Sequence, residues 1–514
     1  MTDLPQRFRL FRGGAPLGEV LDRLAAIHGD RRLVEQPDPI LLTGGRTSLT
    51  YEEAARLVAD LSGRIAERCG DGGRVVVRGA NDYGFFLACL AVARAGGVVA
   101  PVNPRMRPEE IDAVIQDADA EVVDLEAVDG EVPGVDGLPA ADALPAARPP
   151  SGDVAGIFYT SGTTGRPKGA RLTHKALTDP ASLGALWPAG LRRDEVVVSL
   201  PIAHIMGFAA LLGAAGSGVP LYFIPRFSPR VVLDAIESRR ATVFIGVPAM
   251  YRMMLDAGAE QRDLRSVRVW ISGADVMPPD LARRFKRMGA TVTLPVVGRS
   301  LGEATFAQGY GSVESGGAVS AKVSPPLTSL GLGDFLGVSL LGNRMRVVDE
   351  EGNDVGADEV GELLVRGPGV LHGYHGSPEA TSDVLTDDGW LRTGDLARRG
   401  RFGVVRYAGR KKDVLIHGGY NVYPPEVEEA LRGHPAVADV AVVGRKDAVK
   451  GEVPVAFVTV EAGSTLDPDD LLAWGRERLS DYKVPVEVRI VDDLPRTGTG
   501  KVAKPDLRAQ FEPS

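Results

Sequence analysis

At 514 residues the chain is too long for one ordinary hydrophobic core, so two or more domains are expected. Apolar residues at 44% with 25% charged residues give the balance of a soluble globular protein. A net charge of −9 without a dense Lys/Arg run argues against a nucleic-acid surface, and two cysteines, Cys69 and Cys89, are too few for a disulfide framework or a zinc cluster.

Near the N-terminus Asp3 interrupts any apolar leader pattern, so no signal peptide is expected. Residues 17–29 and 50–68 have helical spacing, and the second is opened by Thr50 with Glu53 three residues on, a capping box. Arg74 to Arg78 reads as a buried strand, Phe85 to Ala95 as a helix, and Gly97 to Pro101 as a strand. The same rhythm repeats from Pro108 to Val123 and from Val196 to Val247, which predicts layered α/β architecture with parallel sheets. Between them, residues 129–153 are rich in Ala, Pro, Gly and Asp and read as a surface excursion. Val196 to Pro225 lacks any charged residue, yet Pro201, His204, Gly207, Gly213, Gly216, Gly218 and Pro220 break it. Buried strands and a helix around a pocket are expected there, with no stable membrane insertion.

After about residue 400 the texture changes to a compact pattern. It predicts helix 424–433, strands 437–444 and 454–460, helix 467–479 and strand 487–491, a small α+β domain. The expected organisation is a large domain over 1–408, a hinge at 409–413 and a small domain over 414–514. No internal repeat is visible.

The most informative segment lies between Tyr159 and Gly169. Thr160, Ser161, Thr163 and Thr164 supply four hydroxyls, Gly162, Gly165 and Gly169 free the backbone, and Lys168 adds a cation, all directly after the apolar run Val154 to Tyr159. Such a loop offers N–H groups, hydroxyls and positive charge to a polyphosphate. It is not the P-loop pattern, because no Gly-Lys-Ser/Thr occurs and no long helix pattern starts at the lysine. A bland surface loop has the same composition, and only its companions decide between the two.

Those companions follow in order: Leu200 to His204, Tyr310-Gly311-Ser312-Val313-Glu314, Arg392 to Leu396, Gly409 to Asp413, and Pro495 to Lys501. Over residues 15 to 505 the chain thereby resembles the adenylate-forming superfamily, which includes acyl-CoA synthetases, firefly luciferase and peptide-synthetase adenylation domains. The resemblance implies ATP, Mg²⁺ and coenzyme A as cofactors and a small-molecule carboxylic acid as substrate. It implies that residues Thr160 to Lys168 hold the β- and γ-phosphates, Tyr310 with Gly311 and Ser312 the adenine, and Glu314 with Thr160 the metal. Asp395 would accept the ribose hydroxyls and Arg410 would reach the ribose or α-phosphate. Lys501 would be the adenylation lysine, Lys412 the pivot of a mobile C-terminal domain, and Gly418 and Gly419 would face the thiol route. His204 would lie beside the carboxylate.

The chemistry suits these residue types. A carboxylate is a poor acyl donor, and an acyl-AMP is a good one. Bringing two anions together makes catalysis mostly positioning and charge neutralisation. One departure stands out: Val313 replaces the family threonine and cannot donate a hydrogen bond. Small and aliphatic residues in 204–210, 244–248, 272–275 and 301–309 predict a pocket for an apolar chain or a flat aryl acid. Asp275, before Pro278-Pro279, reads either as a pocket-rim acid that tolerates an amine or hydroxyl or as a helix cap, and the cap is the favoured expectation. The expected function is an acid:CoA ligase. Alternatives are transfer to a carrier protein or another nucleophile, activation of an oxyanion such as nitrite, and a non-catalytic nucleotide sensor.

Overall fold

The computed structural model describes residues 15–511, apart from 70–72, 105, 140–143, 149, 151, 161–166, 186, 188–192, 295–298, 329–334, 341, 401–403, 448, 462 and 497–501. It divides into two compact units. One comprises Met1–Gly333, Gly337–Arg344 and Val365–Leu391; the other comprises Asp334–Leu336, Met345–Leu364 and Arg392–Ser514. Residues 409–413 fall inside the second unit.

Alternation of strands and helices builds the first unit as expected. Strand Arg74–Arg78, helix Tyr83–Arg94, strand Val98–Pro101, helix Pro108–Ala118 and strand Glu121–Asp124 follow one another, and their strands pair in parallel. The capping box at the second helix is present: Thr50 N donates to Glu53 Oε2 at 2.8 Å and Glu53 N to Thr50 Oγ1 at 3.2 Å. This sheet runs Glu121–Asp124, Arg74–Arg78, Val98–Pro101, Val154–Thr160, Lys168–Thr173, and only its last strand is antiparallel.

A second, nine-stranded sheet carries Thr305–Ser312, Val269–Ser272, Val243–Gly246, Val196–Val198, Leu221–Phe223 and Arg32–Glu35 as parallel neighbours, with antiparallel strands at both edges. The uncharged stretch 196–225 supplies two of these strands and the helix Ile205–Ser217. Among the described residues no helix is long and apolar enough to cross a membrane. One face of this sheet is closed by an aromatic cluster in which Tyr251 meets Phe285 at 4.9 Å, Phe244 at 5.4 Å and Phe306 at 5.5 Å between ring centroids. Each such pair adds about 0.5–1.5 kcal/mol beyond the area it buries. An antiparallel hairpin, Val292–Leu294 with Arg299–Leu301, precedes strand Thr305–Ser312.

The second unit holds most of a four-stranded sheet, Arg344–Val348, Val360–Arg366, Leu391–Arg399 and Val405–Arg410, and a five-stranded one. In the latter, Val437–Asp447 and Gly451–Val460 are buried on both faces, which explains their near-continuous apolar sequence. Val440, Val442, Ala456 and Val458 pack on Val427 and Leu431 of helix Pro424–Arg432, whereas Ala441, Val443, Val455 and Phe457 pack on Leu494 and Leu507. Successive residues of a strand point to opposite faces, so two cores share one sheet.

Candidate functional site

Lys168, expected to face the triphosphate, begins a strand. Val154–Thr160 and Lys168–Thr173 form an antiparallel hairpin in which Thr160 faces Lys168; Ser161, Gly162, Thr163 and Thr164 lie outside the described residues. From the first strand of the hairpin, Tyr159 donates from its hydroxyl to Asp117 Oδ2 at 2.8 Å.

The strand Thr305–Ser312 delivers the second motif. Its pairing with Gly317–Ser324 slips between Tyr310 and Gly311, a bulge that re-aims the side chains beyond it. At Gly311 a Cβ would lie 1.9 Å from Gly317 O, so only glycine allows this approach. The turn that follows is closed by Ser315, whose Oγ accepts from Ser312 N at 2.8 Å and donates to Gly317 O at 2.8 Å. Val313 is buried and its carbonyl accepts from Gly316 N at 2.9 Å. Its side chain therefore serves packing, while Ser312 keeps a hydroxyl next to it.

A return segment joins the hairpin to this turn. Arg171 N donates to Gly373 O at 3.0 Å and His375 N to Gly169 O at 2.7 Å, which lays Tyr374 against Ala170. On the other side Leu371 N donates to Glu314 O at 2.8 Å, and the Tyr374 hydroxyl donates to Glu314 Oε1 at 3.0 Å. Lys168 Nζ stands 5.6 Å from the centroid of the same ring. Burial, reinforced by the negative charge of Glu314, pushes the Tyr374 phenol well above its ordinary range, so it remains a donor. The sequence reading missed Tyr374. Gly373-Tyr374 in a glycine-rich stretch was the only trace, and nothing local names a partner 60 residues away.

His204 caps the helix Ile205–Ser217, with Nδ1 accepting from Met206 N at 3.2 Å, which puts the proton of a neutral ring on Nε2. Along the same helix, Met206 approaches the ends of two parallel strands. A methyl group placed on Gly273 would lie 3.4 Å from both Met206 Cε and Gly309 O. Ala274, next in the chain, holds φ at 67°, a conformation that non-glycine residues adopt under constraint and that concentrates at functional sites. Phe244, expected beside the pocket, lies instead in the aromatic core, because its register places it with Trp270. Asp275 does not cap a helix: Pro278 occupies the cap of Pro279–Met288, and Asp275 accepts from Val276 N at 2.8 Å in an exposed turn. The intervening prolines set the helix start three residues later than the aspartate could serve.

In the second unit Asp395 and Arg410 are cross-strand partners, and Arg410 Nε lies 2.8 Å from Asp395 Oδ1 as an ion pair rather than a well-aligned hydrogen bond. Asp395 is buried and its N–H donates to Thr393 Oγ1 at 3.1 Å. Lys412 is exposed in the turn Lys411–Asp413. Gly418 and Gly419 link the short strands Leu415–His417 and Tyr420–Val422 at φ of 59° and 86°, with open space around both. Lys501 lies outside the described residues.

Among the described residues no cluster of three or more His, Cys, Asp or Glu side chains could hold a metal. A lone carboxylate, Glu314, with one oxygen already engaged fits Mg²⁺ that arrives on a triphosphate, because that ion keeps waters and phosphate oxygens and needs only one or two carboxylates.

A family model of AMP-binding enzymes matches residues 28–375, and a model of the AMP-binding enzyme C-terminal domain matches residues 426–501. The chain belongs to the AMP-binding enzyme family. A feruloyl-CoA synthase of Amycolatopsis sp is 36% identical to this AMP-binding enzyme over 94% of its chain and 98% of the relative's. A fatty acid–[acyl-carrier-protein] ligase, ScoC of Streptomyces coeruleorubidus, is 31% identical over 93% and 94%. In the same fold, ATP-bound MatB from Rhodopseudomonas palustris aligns with a TM-score of 0.80 at 30% identity over 96% of this chain and 99% of that one.

Proposed function

We propose that this AMP-binding enzyme is an ATP-dependent carboxylic acid:CoA ligase. A carboxylate oxygen bonds to the α-phosphorus of ATP and pyrophosphate leaves. The coenzyme A sulfur, as thiolate, then bonds to the acyl carbon and AMP leaves. The observation that carries the reading is the joining of the phosphate hairpin and the acid turn by one segment, which ties Lys168, Tyr374 and Glu314 together. Two anions meet in the first step, so fixed cations and donors should provide most of the acceleration.

Within this reading Thr160 to Lys168 hold the triphosphate, and Glu314 with Thr160 serves Mg²⁺, which supplies charge neutralisation when bound. Tyr310 to Ser312 border the adenine, Asp395 accepts from the ribose hydroxyls, and Arg410 orients Asp395 or reaches the α-phosphate. Lys501 donates to the charge that develops between phosphate and carboxylate. Lys412 is the pivot between half-reactions, and Gly418 and Gly419 adjoin the thiol. The acid is a fatty or aryl acid, supported by Met206 beside Gly273 and Gly309, where apolar atoms and backbone form the wall. Transfer to a carrier protein is the second reading, favoured by the likeness to ScoC.

Acid-dependent ATP–pyrophosphate exchange across fatty and aryl acids, each then offered coenzyme A or a phosphopantetheinylated carrier protein, tests this. Exchange followed by CoA-dependent AMP release is the expected result. Release with the carrier alone would replace the ligase by the second reading, and absence of exchange with every acid would overturn both.

A further inference from the structure

Tyr374 has no part in the chemistry outlined above, yet among the described residues it is the partner of the Glu314 carboxylate. Its backbone bridges Ala170, two residues beyond Lys168, and its own segment also holds the Glu314 main chain through Leu371 N. Glu314 is thus fastened at both its carbonyl and its carboxylate from one short stretch. That stretch is itself fastened to the hairpin bearing the phosphate loop. A half-buried glutamate on a turn would otherwise sample several rotamers, and Mg²⁺ tolerates little departure from octahedral geometry.

Resting on the ligase reading, we propose that Tyr374 is a positioning residue for ATP-bound Mg²⁺: its hydroxyl holds Glu314 Oε1, so that Oε2 is the oxygen presented to the ion. Lys168 Nζ stands 5.6 Å from the centroid of the Tyr374 ring, so one side chain touches the carboxylate through its hydroxyl and faces the ammonium with its ring. Partners that orient a metal-binding carboxylate commonly change metal affinity by about 10–100-fold when removed.

Calorimetric titration of the full chain with a non-hydrolysable ATP analogue, with and without Mg²⁺, separates this role from a merely structural one. For Tyr374→Phe the Mg²⁺ concentration that half-saturates the tightening of nucleotide binding should rise about tenfold, with metal-free affinity unchanged. In a Glu314→Gln background the same substitution should have no further effect on the Mg²⁺ response. Equal weakening with and without Mg²⁺, or an effect that persists beside Glu314→Gln, would overturn the proposal. Should Tyr374→Phe not fold, Glu314→Gln alone takes the measurement, and a retained Mg²⁺ response would overturn it as well. Acid and thiol are absent from this titration. A protein that binds the metal–nucleotide as described yet exchanges no pyrophosphate would therefore fail the ligase reading and leave Tyr374 in place.

Discussion

The two units hold their candidate residues by different means. In the first, Glu314 sits on a turn reached through a glycine whose missing side chain lets two backbones touch, and a crossing segment ties that turn to the hairpin bearing Lys168. In the second, a Cβ on Gly418 or Gly419 would meet nothing within 4 Å, the Gly418 N–H donates to Lys450 O at 2.8 Å, and Lys412 is exposed. Packing fixes the candidate residues of the first unit, and open turns carry those of the second. Tight packing suits groups that must hold a geometry throughout a reaction, and open turns suit groups that serve one stage of it.

That contrast can be broken most decisively at two lysines of the second unit. Lys501→Ala should lower acyl-AMP formation by roughly 10²–10³-fold, the scale of one lost electrostatic donor, and spare thioester formation from supplied acyl-AMP. Lys412→Pro should do the reverse, sparing pyrophosphate exchange and losing thioester formation. Equal loss of both half-reactions in either variant would show that the second unit does not divide its work by stage.

A smaller effect belongs to Gly311→Ala, which must force apart backbones already in contact. It should cost at least about 2 kcal/mol in denaturant unfolding, together with pyrophosphate exchange. Gly419→Ala should cost only about 1–2 kcal/mol of left-handed strain, leave exchange intact and slow thioester formation. Comparable unfolding midpoints for the two would erase the distinction between them.

The least effect is expected at His174, whose Nδ1 accepts from Leu17 N at 3.0 Å in the first unit. Desolvation by burial lowers its pKa below the ordinary 6.5, so the folded chain favours the neutral ring. Its contribution is intact above 6.5 and lost as pH falls through the lowered value, because protonation is then easier in the unfolded chain. The thermal midpoint of the natural chain should decline below pH 6.5 more steeply than that of His174→Gln, and parallel curves would refute the assignment.

Much of the fold was legible because its signals are local. The capping box at Thr50 and Glu53, the strand Arg74–Arg78 and the double-faced strand Val437–Asp447 each follow from periodicity or one short motif. The string Tyr310 to Glu314 was legible as a motif, and it lies at the end of strand Thr305–Ser312 and in the turn after it. Three features were not. Phe244 looked like a pocket residue because register decides which face of a parallel strand is core, and register is not written in one strand. Asp275 looked like a cap because sequence proximity to a helix does not give its first turn. Tyr374 was overlooked because its meaning comes from a partner far along the chain.

The order in which the chain visits its units also bears on engineering. The first unit is left at Arg344 and regained at Val365, and the segment that returns through Leu391 is the one carrying Tyr374. A fragment ended near Arg344 would contain Glu314 and Lys168 but not the Tyr374 hydroxyl that donates to Glu314. Chimeras that exchange the C-terminal module should therefore be spliced downstream of Leu391, where the donor can change without unfastening the recipient's acid turn.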